Sequence, residues 1–153
     1  MCQIINNSLV MSPSPLDIHQ VILQEISVEI SLLLRKTKAG YVRISPYDVH
    51  LSESNILQPD ICFINEENKG IIEKKGLVGA PDLVIEILSP GTKKYDLSDK
   101  KEIYQNYGVK EYFIVDPTNK KVKSFILKNN KYIESSETMG IIKSALLKAS
   151  IEF

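Results

Sequence analysis

Pro81-Asp82-Leu83-Val84-Ile85-Glu86-Ile87-Leu88-Ser89-Pro90 is the stretch on which the fold turns. Alternation puts Asp82, Val84, Glu86 and Leu88 on one face of residues 82–88, with Leu83, Ile85 and Ile87 on the other. Both faces are mostly apolar, which predicts a central strand covered on both sides. Ser89-Pro90-Gly91-Thr92 ends it. Glu86 stands in the middle of this most buried element. A carboxylate there needs a cation, either a lysine or a metal.

Working outward, residues 96–107 read as a helix closed by Gly108, and residues 111–115 as a strand ended by Asp116-Pro117. Residues 121–127 and 131–134 form a hairpin around Asn129-Asn130. Residues 137–149 fit neither period. Upstream, residues 60–64 form a short strand after Gln58-Pro59. The polar stretch 65–80, with Gly70, Gly76 and Gly79, reads as a loop with room for a short strand. Residues 41–45 and 47–51 read as strands separated by Pro46. Residues 16–38 form the longest helix, with Gly40 as its stop signal. Residues 1–15 read as a short strand or irregular arm running into Ser12-Pro13-Ser14-Pro15. The order helix, strands, helix, strand and C-terminal hairpin describes an α/β (α+β) fold, a mixed central sheet flanked by helices. A length of 153 residues suits a single domain over 1–153.

Composition narrows the function. Nineteen basic and nineteen acidic residues cancel, which argues against a generic polycation. The distribution is uneven: residues 1–92 hold seven Lys/Arg and eleven Asp/Glu, residues 93–153 twelve and eight. Two cysteines, Cys2 and Cys62, are too few for a disulfide scaffold or a cysteine-based zinc site. No apolar run approaches the ~18 residues of a membrane span, and the N-terminus lacks a signal-peptide pattern. The expectation is a cytoplasmic protein without membrane contact.

Polar residues at apolar positions mark the candidate site. On the first helix, a wheel started at Ile18 gathers Val21, Ile22, Ile26, Leu32 and Leu33 into one arc. Glu25 and Glu29 fall on its flanks and His19 near its edge. On the second helix Asp96, Lys100, Ile103, Tyr104 and Tyr107 share a face, so that Lys100, not Lys101, points inward. Lys100 then serves either as a structural partner of Asp96, one turn away, or as part of a reactive site. If strands 60–64 and 82–88 are neighbours, Asp60 and Glu86 converge on one face and Lys100 reaches them. Two carboxylates and a lysine suit a hard divalent cation beside a phosphate.

These residues resemble the PD-(D/E)xK nuclease superfamily and, more closely, the Uma-type family of restriction endonuclease-like proteins. The resemblance rests on Gln58-Pro59-Asp60-Ile61 through Ile64, on Pro81 through Pro90, and on Asp96 through Asp116, with Gly108-Val109-Lys110-Glu111-Tyr112 inside it. Met11-Ser12-Pro13-Ser14-Pro15 with His19 is similar to the family's lead-in to its first helix. The resemblance implies a restriction-endonuclease-like core and hydrolysis of DNA phosphodiesters with Mg2+, for which Mn2+ substitutes. It makes Asp60 and Glu86 catalytic metal ligands, with the backbone carbonyl of Ile87 as a third. Leu88 stands where the motif lysine belongs, which matches the variant in which the following helix supplies it, here Lys100. Glu25 or Glu29 would be the acid of the first helix; both fit. His19, Asp82, Asp96 and Tyr104 are supporting candidates, and Gly91, Lys93 and Lys94 candidate phosphate contacts. A homodimer is expected, because cutting both strands of a duplex calls for two sites. The chain departs from the family at its front, where only Ser8-Leu9-Val10-Met11 of the opening hairpin is recognisable. The competing reading is a nuclease-fold protein that binds DNA or another protein without turnover.

Overall fold

A computed structural model describes residues 2–11, 13–90 and 93–153. Ser12, Gly91 and Thr92, which the sequence reading places in the lead-in to the first helix and in the turn after the central strand, lie outside the described residues.

The central strand is β9, Leu83–Ile87, buried at every position. Its alternation divides the core in two. Leu83, Ile85 and Ile87 join α1 (Asp17–Thr37) through Ile22, Ile26 and Ile30. Val84 joins the other core, with Tyr104, Tyr112 and Leu57. The sheet order is β12-β11-β10-β9-β6-β3, with β13 (Thr138–Met139) paired to β11. Here β3 is Gly40–Ile44, β6 Ile61–Asn65, β10 Glu111–Asp116, β11 Lys121–Lys128 and β12 Lys131–Glu134. β9 and β10 run parallel; β6 lies antiparallel to β9, with Ile61 opposite Ile85 and Cys62 opposite Val84. The β9–β10 connection crosses over through two short helices, α2 (Lys93–Leu97) and α3 (Asp99–Asn106). The mixed sheet, the flanking helices and the β11–β12 hairpin are those expected, although a further hairpin follows it.

The second sheet is assembled from strands of two to four residues, in the order β2-β1-β5-β4-β8-β7. It takes in β1 (Cys2–Ile5), β2 (Ser8–Met11), β4 (Val49–Ser52), β5 (Asn55–Leu57), β7 (Ile72–Glu73) and β8 (Gly76–Val78). The opening hairpin is therefore fuller than the sequence suggested: Cys2–Ile5 pairs with Ser8–Met11 around Asn6-Asn7, whose φ values are 49° and 62°. The unassigned end folds as a further hairpin, β14 (Ile141–Ser144) with β15 (Ala149–Glu152), packed beside α1. Buried Glu111 holds it, accepting bonds from Ser144 Oγ and from the amides of Ala145 and Leu146.

Three expectations need correction. Gly40 does not stop α1; Lys38, at φ 55°, caps it. Gly40 opens β3, where a Cβ would stand 2.1 Å from the Ile64 carbonyl oxygen, so the strand approach itself demands glycine. The helix 96–107 is two helices, because Ser98 breaks the run and its Oγ bonds back to the Lys94 carbonyl at 2.7 Å. The buried face of α1 is His19, Ile22, Leu23, Ile26, Ile30 and Leu34. Val21 and Leu32, assigned to the inner arc, are exposed. Apolar residues on both sides of the helix had pulled the centre of the wheel away from the true face.

Candidate active site

Asp60 stands one residue before β6, directly after Pro59. Since Ile61 is paired with Ile85, one further antiparallel step puts Asp60 opposite Glu86. The period of two then turns both carboxylates to the side of Cys62 and Val84, towards α3. Asp60 is 4% exposed and Glu86 2%. The pairing of two apolar strands thus fixes two acids side by side where water scarcely reaches.

Each acid is held. Asp60 Oδ2 accepts from the Ile87 amide at 2.8 Å and meets His19 Nε2 at 3.2 Å. Glu86 Oε1 accepts from Lys100 Nζ and from the Tyr104 hydroxyl, both at 2.9 Å. Lys100 Nζ also lies 3.0 Å from Asp96 Oδ1, across the break between α2 and α3. Tyr112, on β10, donates to the Asp96 carbonyl oxygen at 2.8 Å. Lys100, at 2% exposure, is therefore enclosed by carboxylates from two elements.

The electrostatics follow from this crowding. Burial pushes Glu86 up to about 8; the charges of Asp96 and Asp60 add to the rise and Lys100 opposes it. For Lys100 burial works towards neutrality, but Glu86 and Asp96 outweigh it and hold the ammonium well above its ordinary range. His19 follows the same pattern: burial lowers it, and the hydrogen bond and charge of Asp60 bring it above the usual imidazole value.

Other sequence candidates lie elsewhere. Glu25 and Glu29 are on the exposed side of α1, and Glu25 pairs with Lys120 at 3.5 Å. Asp82 shares the face of Glu86 but sits four residues away, where it accepts from Lys110 Nζ at 2.7 Å and from the Asn65 amide at 2.8 Å. It secures the far end of β9. Lys94 is exposed. The sequence reading overlooked Tyr112, which looked like an ordinary core aromatic; its hydroxyl carried no signal until β10 was set beside α2. It also missed a cavity of about 360 Å3 at the carboxyl ends of β9 and β10, bordered by His19, Ser89, Lys93 and Asp116.

No three His, Cys, Asp or Glu residues converge on a metal-sized space among the described residues. The oxygen donors that adjacent strands bring to one face here are the carboxylates of Asp60 and Glu86. Hard oxygen ligands, few in number, are the habit of Mg2+, which is usually held by one or two carboxylates together with waters and substrate phosphate. The residues present fit that ion and do not form an all-protein cage of zinc type.

Residues 1–145 match the Uma2 family, described as "Putative restriction endonuclease". The fold is similar to that of a crystal structure of a putative nuclease belonging to DUF820 from Anabaena variabilis ATCC 29413. The TM-score is 0.74 at 17% identity, over 96% of this chain and 83% of that one. No curated protein matches the chain. No helix among the described residues is long and apolar enough to cross a membrane.

Proposed function

Because the chain belongs to the Uma2 family of putative restriction endonucleases, we propose that it is a nuclease hydrolysing DNA phosphodiester bonds with Mg2+ or Mn2+ at Asp60 and Glu86. The observation that carries this reading is the register: adjacent strands set the two acids opposite one another on one buried face, with the Lys100 ammonium 2.9 Å from Glu86.

Asp60, Glu86 and the carbonyl of Ile87 would hold the ion, which when bound polarises the scissile phosphate and favours hydroxide at neutral pH. The remaining roles belong to the chain. The Ile87 amide and His19 fix the Asp60 carboxylate, leaving it little freedom to rotate. Tyr104 fixes Glu86 in the same way. Lys100 supplies a permanent positive charge beside the reacting phosphate, where charge develops in the transition state. Asp96 keeps that ammonium in place.

The test is plasmid nicking by purified protein in Mg2+ or Mn2+, with a chelator control and the Glu86→Ala variant. Cleavage that needs the metal and disappears in the variant supports the proposal. A folded protein that cuts in neither metal overturns it.

One observation favours a second reading. Lys100 is already matched by two carboxylates and shut away from solvent, the arrangement of a structural ion cluster. In a non-catalytic nuclease fold this cluster would knit α2, α3 and β9 together, and the protein would bind DNA or another protein without turnover.

A further inference from the structure

The cavity beside the acids lies where the carboxyl ends of parallel β9 and β10 meet the first turn of α1, the customary place for a ligand in a sheet with parallel strands. Its walls are apolar: Ile18 from the helix, Leu88 and Pro90 after β9, and Pro117 after β10. Ser89 and Thr118 interrupt them, and so do three ionisable groups. Lys93 supplies a cation. Asp116 supplies a carboxylate held below its ordinary range, chiefly by the hydrogen bond from Thr118. The third is His19, 5% exposed, whose Nε2 faces Asp60 while Nδ1 has no hydrogen-bond partner among the described residues. A buried polar atom of this kind is rare in folded proteins unless a water or ligand meets it.

A volume of about 360 Å3 lies near the small end of the roughly 300–1,000 Å3 typical of ligand pockets. It is the scale of one nucleotide and too small for a base pair. A cavity lined by apolar side chains with a few hydrogen-bonding groups among them is how proteins receive a base taken out of its stack. Lys93 is placed for a phosphate, and His19 joins the cavity directly to Asp60. We propose that this cavity takes a single unpaired nucleotide next to the scissile phosphate, so that the substrate is single-stranded or locally unpaired DNA, not an intact duplex. The proposal rests on the nuclease reading for its substrate and on the cavity for its strandedness.

The test is binding in a chelator, where no hydrolysis occurs. The probes are a fluorescein-labelled 12-nucleotide single strand and a duplex of the same sequence, followed by anisotropy at fixed low salt. The single strand should bind at least tenfold more tightly. Ile18→Trp, a change at a half-exposed rim position, should weaken single-strand binding about tenfold with an unchanged melting temperature, and Lys93→Ala should weaken it severalfold. A 2-aminopurine in the strand should brighten on binding to the wild type, as a base leaving its stack does, and not on binding to Ile18→Trp. Equal affinity for both probes, or an Ile18→Trp protein that binds the single strand like the wild type, overturns the proposal. Failure of the nuclease reading looks different. Selective single-strand binding without any metal-dependent nicking leaves the cavity assignment standing and removes the enzyme. Nicking lost in Glu86→Ala, with no strand preference and no effect of Ile18→Trp, does the reverse.

Discussion

Glu86 is a carboxylate whose ionisation the surrounding protein opposes, and the sign of the consequence can be worked out. Its ordinary value of 4.5 rises to about 8 in the folded chain, burial being the largest cause. Between those two pH values the folded state keeps a proton that the unfolded state has released, so stability falls as pH rises. His19, raised by Asp60 against its burial, contributes stability that is present below about 6.5 and lost as pH climbs through its folded value. The two slopes have the same sign. The urea midpoint of the metal-free protein should therefore decline steadily from pH 5 to pH 8, and Glu86→Gln should flatten most of that decline. A midpoint that rises over this range would contradict the assignment. Lys100 titrates far above the window and acts differently. Lys100→Ala strips the cation from two buried carboxylates, and breaking a buried pair in this way costs about 3–5 kcal/mol. The loss should be smaller at pH 5, where Glu86 can take up a proton, than at pH 8; denaturant curves at both values check it. Asp60 is the opposite case from simple repulsion. It is the acceptor for the Ile87 amide and the partner of His19, so Asp60→Ala should destabilise more than Asp60→Asn.

Elements built on strong local signals were legible in the sequence, and those built by tertiary pairing were not. Once strands 60–64 and 82–88 are taken as neighbours, the alternation of residues 82–88 and the Pro59-Asp60 step put two acids on one face, and the structure supplies that pairing. The wheel of the second helix singled out Lys100, because its neighbours at helical spacing were aromatic. The Asn129-Asn130 turn was readable because paired asparagines tolerate positive φ, and both adopt it, at 50° and 61°. The same pair at Asn6-Asn7 carries the same signal, but both strands beside it have only four residues, whereas β11 beside Asn129-Asn130 has eight. β5, β7 and β8 have two or three residues apiece; segments so short hold no period and exist only because neighbours supply their hydrogen bonds. Gly40 shows how one residue can be read for the wrong reason. It follows a helix, as a stop signal does, yet its function is to let β3 close on β6. Gly40→Ala should force that pairing apart, with a loss of about 1–3 kcal/mol, the usual range for overpacking. The equivalent change at Gly70, with open space around it, should have little effect, and thermal melts of the two variants separate the explanations.

At the scale of the molecule the question is whether the charge cluster between the core sheet and α3 is complete in itself or awaits a cation. Asp60, Glu86 and Asp96 bring three carboxylates into the buried region; Lys100 and His19 bring the compensating groups. Glu86 relieves the excess by holding a proton, as its raised value indicates. A divalent ion would relieve it by displacing that proton, so metal and proton compete for one position and metal affinity should grow with pH. An ion that binds only the folded state stabilises it by mass action, about 2.7 kcal/mol when present at a hundredfold over its dissociation constant. For a chain of this size that corresponds to a rise of roughly 5–10 °C in the unfolding midpoint. Scanning calorimetry with saturating Mn2+ at pH 8 should show a rise of that order in the wild type and almost none in Glu86→Gln. That variant keeps an acceptor for Lys100 and Tyr104 but offers the ion one carboxylate fewer. Repeating the scan at pH 5.5 should shrink the wild-type rise, since Glu86 then holds its proton. A wild-type midpoint indifferent to metal at both pH values would mean that Lys100 already completes the cluster, and the nuclease fold would then be serving recognition without hydrolysis.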